Sequence, residues 1–199
     1  MTASALEPQS EVEALIRTAA FRLLLAKGRA ISVEELVAAT GLEQNKLVVH
    51  LEELDRAGRI RRDEAGGIVG SAGLSVTRDR HEIELDGRRF WTWCAYDILG
   101  IFGALAATGR AHSPSPEGRT IELEFESGRP ASLDAVLFRP DGELMSCCEN
   151  VYEEWCANSN LFSNAEKATR WAEQRDIQGR VMDLVEASEL GANDWAEVI

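Results

Sequence analysis

Apolar residues recur at helical spacing through roughly the first sixty-five residues, then at a spacing of two in several segments after Leu74. This switch of period constrains the fold more than any other feature. A helix aligns residues three and four apart on one face, whereas a strand aligns every second residue, so neither pattern serves the other structure. Glu11 to Lys27 carries Val12, Leu15, Ile16, Ala19, Ala20, Leu23 and Leu24 on one helical face. Ser32 with Glu35 is a capping-box signal ahead of Leu36, and Gly41 stops that short helix. A third helix is expected over roughly Glu43 to Ala57, with Leu47, Val48, Leu51 and Leu54 inward and Gly58 as its stop. Arg59 to Arg62 and Ile68 to Val69, separated by Gly66-Gly67, read as a short hairpin. Three helices and a hairpin in this order describe a winged-helix-like module.

Beyond Leu74 the signals become mixed. His81 to Leu85 alternates and ends at Asp86-Gly87, a strand and a turn. Phe90 to Ala107 is an apolar run of helical length, and Thr108 to Gly118, with its Gly, Ser and Pro, reads as a loop. Thr120 to Glu126 and Ala131 to Arg139 read as strands. Ser163 with Glu166 predicts another capped helix to about Arg175, Arg180 to Val185 a last strand, and the tail from Ala187 a helix. The expected class is α+β: a winged-helix-like domain at 1–75, then a mixed or antiparallel sheet domain with flanking helices at 76–199.

Charge narrows the function. Thirty-four acidic residues against twenty-one basic ones give a formal net charge of -13, which repels nucleic acid at long range. The third helix, where a winged helix would read DNA, holds Glu43, Glu52, Glu53 and Asp55 against Lys46 and Arg56. A helix facing phosphates should be basic. The hairpin arginines Arg59, Arg61 and Arg62 keep nucleic-acid binding open, but a structural or lid role is preferred and no nucleic-acid partner is expected. The longest strongly apolar stretch, Ile98 to Ala107, is too short to span a bilayer, and Met1 to Glu13 has no apolar segment of the secretory kind. A cytoplasmic location with no membrane association is therefore expected, and a reducing compartment turns attention to the cysteines as thiols.

There are four cysteines: Cys94, Cys147, Cys148 and Cys156. In Trp91-Thr92-Trp93-Cys94-Ala95-Tyr96-Asp97 a helix start would bring Cys94 and Asp97 onto one face, three residues apart. A thiol beside a carboxyl is an awkward pair to bury, because each disfavours ionisation of the other. The bland alternative is a structural cysteine near an aspartate that complements the helix dipole. Thiolates select soft metals, but adjacent cysteines make a strained tetrahedral zinc site, and His50, His81 and His112 are scattered. Cys147 and Cys148 therefore read as two ordinary cysteines on opposite faces of a strand end; Cys156 does not.

Gly73-Leu74-Ser75, Glu84-Leu85-Asp86-Gly87 and Phe90 to Asp97 resemble the start of the catalytic domain of organomercurial (alkylmercury) lyases, with the Trp-Cys-Ala-x-Asp motif of that family at Trp93 to Asp97. The family's second cysteine segment, Cys-x-x-x-Asn-x-Phe, is matched by Cys156 to Phe162, roughly sixty residues on, followed by a helix with Trp171. The resemblance spans about residues 10 to 185 and departs from the family in two respects. A further family cysteine has no counterpart in Ser113 to Gly118, and Cys147 and Cys148 are extra.

The resemblance implies protonolysis of a carbon–mercury bond. Cys94 and Cys156 would be the thiols that retain Hg(II), and Asp97 the proton carrier. Trp91, Trp93, Tyr96 and Phe162 are candidates for an apolar wall around the organic group. No organic cofactor or resident metal is expected, since mercury is substrate and product; an external thiol is needed for turnover. The implied partners are a small organomercurial and, as acceptor of Hg(II), a mercuric reductase. Two alternatives use the same residues: a winged-helix metal-responsive transcriptional regulator, and a non-catalytic mercury-binding relative. The acidic third helix and the carboxyl beside Cys94 weigh against the regulator, because a sensing thiol needs no proton donor.

Overall fold

The computed structural model describes residues 10–198. The chain opens with α1 (Glu11–Lys27), α2 (Val33–Thr40) and α3 (Gln44–Arg56), then β1 (Ile60–Arg62) and β2 (Ile68–Ser71). Local chemistry sets these boundaries. The Ser10 side chain accepts the Glu13 N–H to start α1, and Ser32 and Glu35 complete a reciprocal capping box on α2. Gly28 and Gly41 close the two helices in the left-handed region, at φ 64 and 70. Ile16, Ala20 and Leu24 of α1, Leu36 of α2 and Leu47, Leu51 and Leu54 of α3 are buried, as the spacing predicts; Phe21 joins them, while Leu15 is exposed and Val48 only half-buried. An isolated bridge between Ile31 and Ile68 adds a third extended segment to the hairpin.

The hairpin does not stand apart. After β3 (Leu74–Ser75) come β4 (His81–Leu85), β5 (Arg88–Thr92), α4 (Ala95–Leu105), β6 (Gly109–Pro114), β7 (Thr120–Glu126) and β8 (Arg129–Pro130). Together with β1 and β2 these strands form one eight-stranded sheet in the order β1-β2-β3-β5-β4-β6-β7-β8. The sheet thus runs unbroken across residue 75, and a single buried cluster extends from Ile16 to Val198. The rest of the chain is β9 (Val136–Pro140), α5 (Gly142–Cys147), a π-helical turn Val151–Trp155 and a 3-10 turn Cys156–Asn158. It ends with β10 (Asn160–Phe162), α6 (Ala165–Glu173), β11 (Gly179–Asp183) and α7 (Leu184–Trp195). A second sheet has the order β10-β9-β11, and every named pairing in both sheets is antiparallel. Helices mixed with antiparallel sheet is the observed class.

Several expectations change. Thr108 to Gly118 is not a loop: β6 pairs with both β4 and β7. Its inward residues are Ala111 and Ser113, too small and polar to give an alternating signal. Ser113 is nonetheless buried and its hydroxyl lies 2.8 Å from His81 Nδ1. The apolar run from Phe90 divides, with Phe90 to Thr92 ending β5 and helix beginning at Ala95. Of the strand expected at Ala131 to Arg139, only Val136–Pro140 forms. The last strand ends at Asp183, which caps α7 through the Glu186 N–H. Asn164, not Ser163, caps α6, while Ser163 donates to Glu117. Cys147 and Cys148 lie at the end of α5 rather than of a strand.

At the centre of the fold α4 packs against α7. Ala95 to Phe102 are all buried, and small residues allow close approach: a Cβ on Gly191 would come within 2.8 Å of Gly100 Cα. Tyr96 extends from α4 between the rings of Trp155 and Trp195, with centroids 6.1 and 5.5 Å away, and its hydroxyl donates to Asp194. This packing fixes the N-terminal end of α4, where the chemistry-bearing residues converge.

Candidate active site

Cys94 is the N-cap of α4 and Asp97 the third residue of its first turn. The Cys94 N–H donates to Asp97 Oδ2 at 2.8 Å, while the Cys94 thiol faces the Asp97 backbone N–H. The pair thus has the reciprocal geometry of a capping box, with sulfur in place of the usual hydroxyl. Gly73 lies directly behind the carboxyl: a Cβ there would be 2.5 Å from Oδ1 and 2.8 Å from the Asp97 Cβ. With φ at 84 and no side chain, Gly73 lets the strand connection pass against Asp97.

Cys156 comes from the turns after α5. Val151–Trp155 is π-helical, a wide turn found disproportionately at functional sites, and Cys156 follows at once. Tyr152 anchors this turn between two arginines, Arg61 and Arg80, whose guanidinium carbons lie 4.1 and 4.2 Å from its ring centroid. Arg80 also donates to the carbonyls of Trp93 and Tyr152, bonding the two cysteine-bearing segments together. Asp79 accepts from Arg61 and from the Tyr152 hydroxyl at 2.8 and 2.9 Å.

The ligand atoms of Cys94, Asp97 and Cys156 all lie within 4.8 Å of one another. All three residues are buried, at 0%, 4% and 4% exposure, and both cysteines are free thiols. Burial raises the Cys94 thiol above its ordinary range. The hydrogen bond with Cys94, and then burial, raises Cys156 well above it. Burial also pushes the Asp97 carboxyl up to about 7, against the opposing hydrogen bonds from Cys94. At neutral pH the site therefore holds two neutral thiols and a carboxyl able both to accept and to release a proton. The Ser159 hydroxyl is fully buried beside Cys94 and has no fixed hydrogen-bond partner among the described residues.

A space of about 340 Å³, including its mouth, opens onto Cys156 and Asp97. Trp93, Met145, Val151, Trp155 and Trp195 supply apolar walls, and Arg17, Gly58, Arg59, Ala72 and Gly73 close it from the N-terminal side. Of the expected wall residues only Trp93 is present. Tyr96 points into the α4–α7 core, and Phe162 packs with Phe138, Ala168 and Ala172 in a separate cluster; Trp91 is on β5 and does not line the space. Leu161 and Phe162 follow one another on a strand, so their side chains go to opposite faces, Leu161 into the main core and Phe162 into the smaller cluster. Trp155, Trp195, Gly73, Ser159, Arg17 and Arg59 escape the sequence reading. For Gly73 and Ser159 the available signal is membership in the two motif segments; Arg59 is marked only as a hairpin arginine that could face nucleic acid, and for Trp155, Trp195 and Arg17 nothing local marks them.

Two adjacent buried thiols with a titratable carboxyl at a small apolar cavity describe a class of protein suited to binding a soft cation and moving a proton beside it. A sequence profile of the MerB (alkylmercury lyase) family matches residues 74–197. Alkylmercury lyases of Staphylococcus epidermidis and Streptomyces lividans are 29% and 30% identical over 174 and 177 residues, covering 84% of this chain and 76% of each relative. The alkylmercury lyase of Pseudomonas putida is 31% identical over 154 residues, covering 74% and 68%. The crystal structure of the mercury-bound form of MerB2 superposes with a TM-score of 0.81 at 26% identity, covering 96% of this chain and 93% of that one. The chain belongs to the alkylmercury lyase family and is an enzyme of that family. No helix among the described residues is long and apolar enough to cross a membrane.

Proposed function

We propose that the enzyme cleaves the carbon–mercury bond of a small organomercurial by protonolysis, with Cys94 and Cys156 as mercury ligands and Asp97 as proton carrier. The observation that carries this reading is the convergence of two thiols and one carboxyl within 4.8 Å in a buried pocket. Metal–sulfur bonds of about 2.3 Å or slightly more place two sulfurs on one Hg(II) roughly 5 Å apart, so little rearrangement is needed.

Cys156 lines the open space and Cys94 lies behind it, so the substrate meets Cys156 first. Its sulfur replaces the carrier thiolate on mercury, and its proton leaves with the carrier as free thiol. Cys94 then adds to the same mercury and its proton passes to Asp97, which is poised by burial near neutrality. Two sulfurs raise electron density at the mercury-bound carbon. Asp97 returns the proton to that carbon, the hydrocarbon departs, and Hg(II) remains on two thiolates. The sequence balances without an oxidant, a resident metal or an organic cofactor; an outside thiol is required to remove the product. Ser159 is placed to donate a hydrogen bond to the Cys94 sulfur as it loses its proton.

The segment 1–75, read as winged-helix-like, serves in this scheme as one wall of the site and not as a reader of nucleic acid. Arg59 faces the cavity and Arg61 is engaged by Asp79 and Tyr152, so these hairpin arginines turn inward. The segment 76–199 supplies the thiols and the carboxyl. The proposed setting is cytoplasmic, with a mercuric reductase accepting Hg(II).

Incubation with phenylmercury and excess thiol should release benzene. Asp97→Asn keeps the shape but carries no titratable proton: it should still bind the organomercurial and lose turnover by at least ~10²-fold, as expected on removing a general acid. Wild-type cleavage by this variant would end the proton-carrier assignment.

A further inference from the structure

Protonolysis leaves a problem of exit, and this inference rests on that reading of the site. The product ion is held by two sulfurs at 0% and 4% exposure, behind walls that are themselves almost closed. Of the cavity-lining residues only Arg59 is more than slightly exposed, so the mouth lies at its side chain. Free Hg(II) does not leave thiolates for water; it moves by exchange, one sulfur replacing another, and exchange requires access for the incoming thiol.

Two unused thiols follow Met145, a cavity-lining residue, on the same segment. Cys147 ends α5 and Cys148 is its C-cap, in extended conformation at φ -71 and ψ 147. The Cys148 Sγ contacts the carbonyl of Met145, a residue that lines the cavity. Burial, and then the Glu154 carboxylate, raise the Cys148 thiol above its ordinary range, with the Arg59 charge opposing them. Exposure is graded along this route: Cys156 buried, Cys148 half-buried, Cys147 exposed. Among the described residues each thiol of the doublet donates to a carbonyl of its own turn, Cys147 to Leu144 at 3.5 Å and Cys148 to Met145 at 3.3 Å. Sulfur is a weak donor, so these contacts yield readily to a soft cation.

We propose that Cys147 and Cys148 form a second Hg(II) site at the cavity mouth, a vicinal thiol pair that takes the product from Cys94 and Cys156 and passes it to an outside thiol. The Cys148 sulfur adds to mercury and Cys156 leaves, taking up the proton that Cys148 gives up. Cys147 then displaces Cys94 in the same way. Two protons move inward, one ion moves outward, and mercury stays Hg(II) throughout. The resting enzyme is thereby returned with both inner thiols protonated.

The test uses full-length protein and a mercuric salt, read by sulfur-to-mercury charge-transfer absorbance. Wild type should take up two equivalents of Hg(II), and C147S/C148S one, because serine is a poor ligand for a soft ion. Release of a single preloaded equivalent to a bulky external thiol should be at least about five-fold slower in C147S/C148S, since the attacking thiol must then reach the buried pair. Single-turnover cleavage of phenylmercury, measured on the same samples, should stay at the wild-type rate. Two equivalents retained by C147S/C148S, or release as fast as wild type, overturns the relay. Failure of wild-type protein to cleave phenylmercury while the titration still gives two sites overturns the lyase mechanism and leaves the second site standing.

Discussion

Gly73→Ala isolates the placement of the Asp97 carboxyl from the thiols. The new Cβ would lie 2.5 Å from Asp97 Oδ1, where ordinary contact begins near 3.4 Å, so the carboxyl must withdraw by about 1 Å. Withdrawal breaks the 2.8 Å hydrogen bond from the Cys94 N–H to Oδ2. A displacement of that size in a reacting group costs on the order of 10²-fold in rate. The backbone adds its own penalty: φ of 84 in an L-residue costs about 1–2 kcal/mol, and overpacking a filled interior about 1–3 kcal/mol more. The expected variant is therefore about 2–5 kcal/mol less stable and ~10²-fold slower in single-turnover cleavage, yet still takes up Hg(II) on Cys94 and Cys156. Gly87→Ala is the control, because Gly87 has a similar φ of 79 but nothing within 4 Å of a Cβ. It should show only the backbone cost of about 1–2 kcal/mol and keep the wild-type rate. Urea unfolding, benzene release and mercury titration on both variants decide the matter. Wild-type cleavage by Gly73→Ala would refute the claim that the glycine positions the carboxyl, and loss of mercury uptake with activity would show a general collapse of the site.

The remaining predictions concern other parts of the fold. Burial, with the Arg80 charge adding to it, pushes His81 down to about 3, so the unfolded chain takes up a proton near pH 6.5 that the folded chain refuses until far lower. Stability should be complete above about pH 6.5 and fall on acidification, by about 2 kcal/mol at pH 5. His81→Asn, which can still bond Ser113, should flatten that slope in urea titrations; an unchanged slope would place the acid sensitivity elsewhere. Ser159→Ala removes the hydroxyl beside Cys94, and a hydrogen bond to a charged group contributes about 1.5–3 kcal/mol. Single-turnover cleavage of phenylmercury should slow by about ten-fold or more with capture on Cys156 and Hg(II) affinity little changed, and an unaltered cleavage rate would leave Ser159 as filler. The protein should show no salt-dependent binding to duplex DNA at moderate ionic strength; sub-micromolar binding that weakens steeply with salt would restore the regulator reading.

The local features were legible in the chain because local chemistry dictates them. Helix α2 is bounded by Ser32, Glu35 and Gly41 whatever surrounds it, and β7 alternates because one of its faces is buried. Cys94 and Asp97 belong to the same class: three residues apart at a helix start, they must meet, and their pairing required only that a helix begin there. Where side chains were small, as in Ala111 and Ser113 of β6, burial left no hydrophobic trace and the strand went unread. The second thiol is a different matter. The family resemblance implied Cys156, but what brings it to Cys94 is the π-helical turn held by Arg61, Tyr152 and Arg80, contacts between residues far apart in the chain. Tertiary packing alone also decided that Tyr96 fills the core while Trp155 and Trp195 face the cavity, since an aromatic residue has no local preference between a core and a pocket wall. The raised pKa values have the same origin: a thiol or a carboxyl is ordinary in the sequence, and only exclusion of water by the assembled walls makes Asp97 able to carry a proton at neutral pH.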